Sequence, residues 1–147
     1  MTSPYIDLTQ EIGNILGYQF RDSARLEDAF KAAGVNDRDG NKRLALVGIT
    51  ALQLFLQTEG QARRASREQI NKVVSHLASN INLAERGFEL GLDEFIENNP
   101  CQGDTISNKV MAATMEAIIG AVFLESHWDR DTLGLIVDSM GLSWPDE

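Results

Sequence analysis

Apolar residues recur at three- and four-residue spacing along most of the chain, which is the periodicity of amphipathic α-helices. In the segment DSARLEDAFKAAG one such stripe ends at Gly34 and predicts a helix closed by that glycine. A second stripe follows Ser66 and Gln69, which have the pattern of a capping box. Its members, all predicted to be buried, are Ile70, Val73, Val74, Leu77, Ala78 and Ile81. No segment alternates with the two-residue period of a strand, so the pattern predicts an all-α fold of about seven helices.

Start and stop signals place the other helices. The first is expected to begin at Ser3, with Pro4 in its first turn, and to stop at Gly17. Ser79 and Asn80 are expected to separate two helices, and ENNPCQGD is the most loop-like segment. A long helix is expected over about residues 105–124, and a last one over DTLGLIVDSMG.

Two predicted helices, over residues 44–56 and 112–124, are apolar on nearly every side. In the first, Leu46, Ile49 and Leu54 make the side opposite the main stripe apolar as well. A helix of this kind requires burial all round, so the two are expected to form a central pair. The side of this helix pair that faces away from the pair's own contact is expected to lie either inside the monomer core or under a second subunit.

Composition narrows the class of protein. The chain has 147 residues, and we expect residues 1–147 to form a single domain with its own core. Its one cysteine, Cys101, excludes an intramolecular disulfide and a Cys-based zinc site. No apolar run is long enough to cross a bilayer and no targeting segment is visible, so a cytoplasmic protein without a membrane partner is expected. The net charge of -9 opposes non-specific nucleic-acid binding, so contact with RNA would require a local basic patch.

One carboxylate does not fit the apolar pattern. Glu116 lies within AATMEAIIGAVFLES, in a run that is otherwise almost entirely apolar. An ionised carboxylate is costly to bury unless it is paired, hydrogen-bonded or bound to a metal ion. The pattern alone leaves the role of Glu116 open.

Three segments resemble the ribonuclease III family. NKRLALVGITAL resembles the family motif NERLEFLGDAVL, and KVMAATMEAIIGAVFLES resembles the motif K-x-x-A-D-x-x-E-A-x-x-G-A-x-x-L-D-S. LGYQFRDSARLEDAF is similar to the family's LGY-x-F segment. The three occur in the family's order, and the resemblance covers the chain from about Ile12 to Leu142.

The resemblance implies a helical nuclease fold that cuts double-stranded RNA with Mg²⁺. In the family two acidic residues from each motif hold the metal ion. On this chain those positions fall on Ala45, Ile49, Ala113 and Glu116, so three of the four lack a carboxylate. One carboxylate with water binds Mg²⁺ too weakly for hydrolysis. We therefore expect an inactive domain with no metal and no cofactor, in which Glu116 is the one retained catalytic-site acid and hydrogen-bonds a neighbouring helix or backbone N–H.

Two other interpretations of Glu116 stay open. Asp104 or Glu125 would supply the missing oxygen ligands of an unusual Mg²⁺ site, or Glu116 would face solvent without a special role. Under the first of these the chain would be an active Mg²⁺-dependent endonuclease specific for double-stranded RNA.

The resemblance also implies a dimer. In the family the helix of the first motif lies at the two-fold axis and an aromatic residue plugs the partner, and on this chain that position is Leu46. Lys42 replaces a family glutamate, a charge reversal that bears on pairing if the position lies at the interface. A homodimer is expected, with a heterodimer of ribonuclease III-like chains or a contact in a larger assembly as competitors.

Candidate RNA contacts are few. Arg63, Arg64 and Arg67 form the main basic cluster, for which a solvated helix face is the simpler interpretation. Lys109 matches a lysine found ahead of the second motif in several family members. No double-stranded-RNA-binding domain is expected in this chain. The sequence thus favours a non-catalytic dimeric scaffold or interaction module linked to RNA processing, with an active endonuclease or a structural protein of a ribonucleoprotein particle as alternatives.

Overall fold

The computed structural model describes residues 7–35, 38–103 and 105–146. Over these ranges the chain is all-α, as predicted, and its β pairing is limited to an isolated bridge. The α-helices are α1 (Leu8–Leu16), α2 (Ser23–Ala29), α3 (Lys42–Ala62), α4 (Arg67–Leu77), α5 (Asn80–Glu89), α6 (Asn108–Glu125) and α7 (Arg130–Ser139). Short 3₁₀ helices cover Leu92–Phe95 and Pro100–Gln102. None of the helices in the described ranges combines the length and apolarity that a transmembrane segment needs.

Local side-chain caps explain where several helices begin. At α4 the Ser66 Oγ accepts from the Gln69 N–H at 3.1 Å and the Gln69 side chain accepts from the Ser66 N–H at 2.9 Å. This is the predicted capping box. Ser79 caps α5 by accepting from the Asn82 N–H at 3.1 Å, which confirms the predicted break between α4 and α5.

A side-chain cap marks the start of the first helix in the described residues. Asp7 is the N-cap of α1 and accepts from the Thr9 N–H at 3.1 Å. The predicted start at Ser3 and Pro4 lies outside the described residues. The predicted stop is confirmed, because Gly17 ends α1 in the left-handed conformation with a φ of 65°.

The prediction that α2 continues to Ala33 is wrong. The helix ends at Ala29, because the backbone that follows pairs with a distant segment. The Ala32 N–H donates to the Glu97 carbonyl at 2.9 Å, and the Glu97 N–H donates to the Phe30 carbonyl at 2.8 Å. This bridge holds the loop before Pro100 against the loop that leads into α3.

The core is built around α3 and α6, which pack along each other more extensively than any other pair in the described chain. The prediction that both helices are buried on nearly every side is confirmed for α6, where 11 of 18 residues are buried. The same prediction is wrong for α3, because Leu46 is 69% exposed and Leu54 is 55% exposed. Ile81 is also exposed, at 72%, rather than part of the buried stripe. The break at Ser79 moves Ile81 into α5, where it no longer continues the face of α4.

Candidate functional site

A cleft lies between the N-terminal halves of α3 and α6 and the start of α5. Its volume is about 390 Å³. It is lined by Lys42, Ala45, Leu46, Ile49, Asn80, Lys109, Ala113 and Glu116. The four positions at which the sequence resemblance places the family's acids are therefore brought together, and Lys42, Leu46 and Lys109 join them.

Helical spacing explains why these residues share one cleft. Lys42, Ala45 and Ile49 are three and four residues apart on α3, and such residues lie on the same helix face. On α6 the matching positions are Lys109, Ala113 and Glu116. Each helix thus contributes one lysine near its start and a mainly apolar continuation.

Two glycines set how closely the helices approach. A Cβ atom on Gly48 would overlap the backbone carbonyl of Glu116, and one on Gly120 would overlap the carbonyl of Leu44. Both positions lie within regular helices, so the requirement for glycine comes from contact between the two backbones. The crossing places Glu116 next to α3.

Glu116 is half-buried and lines the cleft. Its carboxylate forms no hydrogen bond or ion pair with any described residue, so the expected hydrogen bond to a neighbouring helix or backbone N–H is absent from that part of the chain. Burial raises the pKa of Glu116 to about 7. The cleft therefore disfavours the ionised carboxylate.

Both lysines of the cleft are exposed. Lys42 is the first residue of α3, and Lys109 is the second residue of α6. Together with Ala113 they also line a second cavity of about 240 Å³, hereafter the amide cavity. Its polar lining includes Asn41, Asn98, Asn99 and Ser107. The two cavities therefore adjoin along the two lysines.

The carboxylate of Glu125 forms hydrogen bonds away from the cleft. It accepts hydrogen bonds from the Tyr18 hydroxyl at 2.6 Å, the Arg21 N–H at 3.1 Å and the Asp22 N–H at 3.2 Å. Burial and the Glu125 carboxylate raise the pKa of Tyr18. Glu125 thus fastens the α1–α2 connection to the end of α6 and does not line the cleft. Asp104, the other residue considered as an extra metal ligand, lies outside the described residues.

The arginine cluster lies far from the cleft. Lys42 begins α3 and Arg63 follows its last residue, and 21 helical residues rise about 30 Å. Arg63 pairs with Glu59 and Asp146, each at 3.9 Å. Arg64 and Arg67 are exposed. The structure therefore does not join the predicted arginine cluster to Lys109.

No sequence pattern assigns a functional role to Asn41 or Asn80. Asn41 is buried at the start of α3, where its side-chain amide donates to the Ala29 carbonyl at 2.8 Å and to the Thr114 hydroxyl at 3.3 Å. It ties α2, α3 and α6 together beside the amide cavity. Its position before an apolar helix is a capping signal, although it makes no side-chain cap. Asn80 reaches the cleft through a tertiary contact that has no local signal.

Comparison with protein families identifies this architecture. The protein-family model of the ribonuclease III domain matches residues 42–127 of this sequence, which is more than half of the chain. The chain belongs to the ribonuclease III domain family. The matched range contains every residue that lines the cleft.

Individual relatives support the assignment. The ribonuclease III domain chain is 30% identical over 149 residues to ribonuclease 3 of Vibrio vulnificus strain YJ016, a match that covers 98% of this chain and 61% of the relative. It is 29% identical over 116 residues to ribonuclease 3 of Shewanella sediminis, covering 76% and 51%. The chain thus spans about three fifths or less of the length of these curated relatives.

Solved structures share the fold. The nuclease domain of ribonuclease III from Campylobacter jejuni superposes with a TM-score of 0.81 at 20% identity, covering 97% of this chain and 99% of that one. A second structure of that nuclease domain, whose description refers to structural flexibility in a region involved in dimer formation, superposes with a TM-score of 0.79 at 20% identity. The match covers 89% of this chain and 94% of that one. The predicted fold is confirmed.

The donor set of the cleft does not fit the Mg²⁺ ion that the resemblance implies. Ala45, Ile49 and Ala113 offer no side-chain oxygen, which leaves the Glu116 carboxylate and the Asn80 amide. Mg²⁺ requires near-octahedral oxygen coordination and is usually anchored by more than one anionic group. Within the described ranges no group of three His, Cys, Asp or Glu residues is placed to hold a metal ion.

Proposed function

We propose that this ribonuclease III domain is catalytically inactive and acts as a dimeric scaffold or interaction module linked to the processing of double-stranded RNA. The observation that carries the proposal is the cleft, where the described lining residues include one carboxylate and two lysines. Phosphodiester hydrolysis by a metal ion requires ligands that fix both the ion and the attacking water. A cytoplasmic location is part of the proposal.

The ligand set of the cleft supports the loss of metal binding. Glu116 is the single carboxylate among the described lining residues, and Asn80 adds one amide oxygen. A divalent ion there would lack the second anionic group that usually anchors Mg²⁺.

Exposed apolar residues support dimerisation through α3. Leu46, at the rim of the cleft, is 69% exposed, and Leu54, two turns further along α3, is 55% exposed. Ile81, next to the cleft residue Asn80, is 72% exposed. Each such side chain contributes about 1–2 kcal/mol when a partner covers it. We propose that a second ribonuclease III-like chain, identical or different, covers this face, with Lys42 at its edge.

Sedimentation equilibrium tests the dimer. Wild-type protein is expected to have the mass of two chains at micromolar concentration, or to gain that mass with its partner chain. Leu46→Glu should return it to one chain, because a carboxylate at the interface would have to be desolvated. Leu135→Glu is the matched control, since Leu135 is 48% exposed on α7. A wild-type mass of one chain, both alone and with candidate partners, would end the dimer proposal.

A cleavage assay tests catalytic inactivity. Purified protein is incubated with a long RNA duplex and Mg²⁺ or Mn²⁺, and no staggered cuts are expected. A member of the family with its metal ligands intact serves as the positive control. Cleavage that is abolished by Glu116→Gln would contradict the proposal.

An active double-strand-specific endoribonuclease is the competing function. It is favoured by the retained Glu116, which lines the cleft at the position of a family metal ligand. The relatives described as ribonuclease 3 favour it too, although this chain spans only part of their length. The cleavage assay decides between the two.

A structural role in a ribonucleoprotein particle would rest on the arginine cluster. The ion pairs of Arg63 weaken its attraction for phosphate. Duplex-RNA gel shifts that weaken with salt and vanish when Arg63, Arg64 and Arg67 are changed to Ala would favour this role. Absence of any shift would leave a protein-binding scaffold.

A further inference from the structure

The two lysines of the cleft differ from the other lysines of the chain. Lys31 pairs with Asp28 at 3.8 Å, and Lys72 pairs with Glu68 at 3.7 Å, each within one helix. Lys42 and Lys109 have no carboxylate within ion-pair distance among the described residues. In a chain with a net charge of -9, two unpaired lysines that line the same two cavities form a local positive site.

The surroundings of these lysines reinforce that charge. They line both the cleft and the amide cavity, and among the described residues that line either one Glu116 is the single acid. Lys109 lies in the first turn of α6, where the N–H groups of a helix start add a partial positive charge. The charge at this position is therefore opposite to that of a metal-binding site.

The uncharged residues that line the two cavities indicate which chemical group of a ligand would lie beside its anion. Ala45, Ile49 and Ala113 give the cleft an apolar wall beside the lysines. In the amide cavity the Asn98 amide donates to the Gly103 and Thr105 carbonyls, and the Asn99 amide donates to the Ala33 carbonyl. Lys42 and Lys109 are thus the cationic donors of the lining, with the Asn80 amide as a neutral donor, and the apolar wall suits a ring or an aliphatic group.

We propose that the cleft binds a phosphate ester of nucleotide size directly, with Lys42 and Lys109 on the phosphate and the apolar wall against the organic group. No divalent cation bridges the two. The proposal rests on the proposed loss of the metal site, and it replaces a cation site by an anion site at the same place in the fold. Lysine ammonium groups bind phosphate as point charges, so two of them account for recognition of the phosphate without a particular base.

The test is an NMR titration of ¹⁵N-labelled full chain in EDTA. The probes are inorganic phosphate, adenosine monophosphate and a short RNA duplex. Adenosine monophosphate is expected to shift the amide signals of Lys42, Asn80, Lys109 and Ala113 saturably in the millimolar range, and more tightly than inorganic phosphate. The duplex is expected to bind no better than the mononucleotide, because the net charge of the chain opposes a long polyanion.

Four variants separate a specific site from general attraction. Lys42→Ala and Lys109→Ala are each expected to weaken adenosine monophosphate binding about three- to fivefold, the effect of one exposed charge contact. Lys72→Ala, a change at an exposed lysine on α4, should leave it unchanged. Glu116→Gln should tighten it about twofold or more, because a like charge is removed. All four positions are at least partly solvent-accessible, so the variants are expected to fold.

Three results would overturn phosphate binding by the two lysines. They are the absence of saturable shifts, shifts that require added Mg²⁺, and a loss of binding in Lys72→Ala equal to that in Lys42→Ala. Binding of the RNA duplex without binding of the mononucleotide would also refute the size class. Mn²⁺ titration of the same sample distinguishes failure of the two proposals. Tight Mn²⁺ binding would refute the inactive-domain proposal. Absence of both Mn²⁺ binding and phosphate binding would refute the phosphate-ester site alone.

Discussion

Replacing Glu116 by Gln should stabilise the protein at alkaline pH and leave its stability nearly unchanged at acidic pH. Glutamine has the shape of the protonated carboxyl group and carries no charge. In the folded chain burial raises the pKa of Glu116 to about 7, from an ordinary value of 4.5. The folded state therefore penalises ionisation, and the substitution removes that penalty.

The magnitude follows from the pKa difference. One unit corresponds to 1.36 kcal/mol, so the rise from 4.5 to about 7 sets an upper limit of about 3 kcal/mol. The carboxyl also borders the cleft, and solvent there screens the penalty, so we expect about 1–2 kcal/mol. Between the unfolded and folded pKa values the folded state binds more protons than the unfolded state. The free energy of unfolding of the wild type therefore falls, relative to the variant, as the pH rises from 4.5 to about 7.

Urea unfolding of both proteins at about pH 4 and about pH 8 measures this difference. Taking the difference between variant and wild type at each pH cancels the titration of the other carboxylates. Glu85→Gln, at an exposed position of α5, is the matched control and should show no comparable dependence. An equal effect of Glu116→Gln at both pH values, or a loss of stability at about pH 8, would refute the assignment of a buried and uncompensated carboxylate.

Two further predictions concern the fold that positions the cleft. Gly48→Ala should lower the free energy of unfolding by about 2–3 kcal/mol, because the new methyl group overlaps the backbone of α6 and the helices must separate. Gly134→Ala should cost less than about 1 kcal/mol in the same urea assay, since it meets only a side chain, at 3.3 Å; similar losses for both would be inconsistent with the proposed crossing. Glu125→Gln should cost about 1–3 kcal/mol, because an amide cannot accept all three hydrogen bonds of the carboxylate. Thermal unfolding measures the loss, and an unchanged Tm would mean that the contact to Tyr18 does not hold the α1–α2 connection.

Local signals predicted most of the helical framework. The capping pattern at Ser66 and the break at Ser79 depend on residues close in sequence, and both are present in the structure. The apolar character of α6 likewise follows from its own composition. Each of these features is decided within one or two helical turns.

Long-range pairing explains the features that the sequence did not predict. The end of α2 depends on hydrogen bonds to Glu97, far along the chain. The role of Glu125 depends on backbone N–H groups of the α1–α2 connection, and nothing in the L-E-S segment distinguishes such an anchor from a metal ligand. Ile81 follows the spacing of α4 in sequence, yet it lies in another helix.

For the candidate site, the four acid positions came from the resemblance to the family and not from spacing. The structure adds what surrounds them. Lys42 is a candidate for the dimer interface by sequence and Lys109 is a candidate for RNA contact, and the two share one cleft with Glu116. Their proximity arises from the helix crossing at Gly48 and Gly120, which pattern analysis cannot measure.

Mn²⁺ titration followed by paramagnetic broadening of ¹⁵N amide signals tests whether the cleft has lost the family's metal site. We expect no saturable broadening of the signals of residues 45, 49, 113 and 116 at millimolar Mn²⁺. A variant with the family's acids restored, Ala45→Glu with Ile49→Asp and Ala113→Asp, is expected to gain such broadening, because carboxylate oxygens are the ligands that these ions require. Saturable, micromolar Mn²⁺ binding to the wild-type cleft that disappears in Glu116→Gln would show that the metal site is intact.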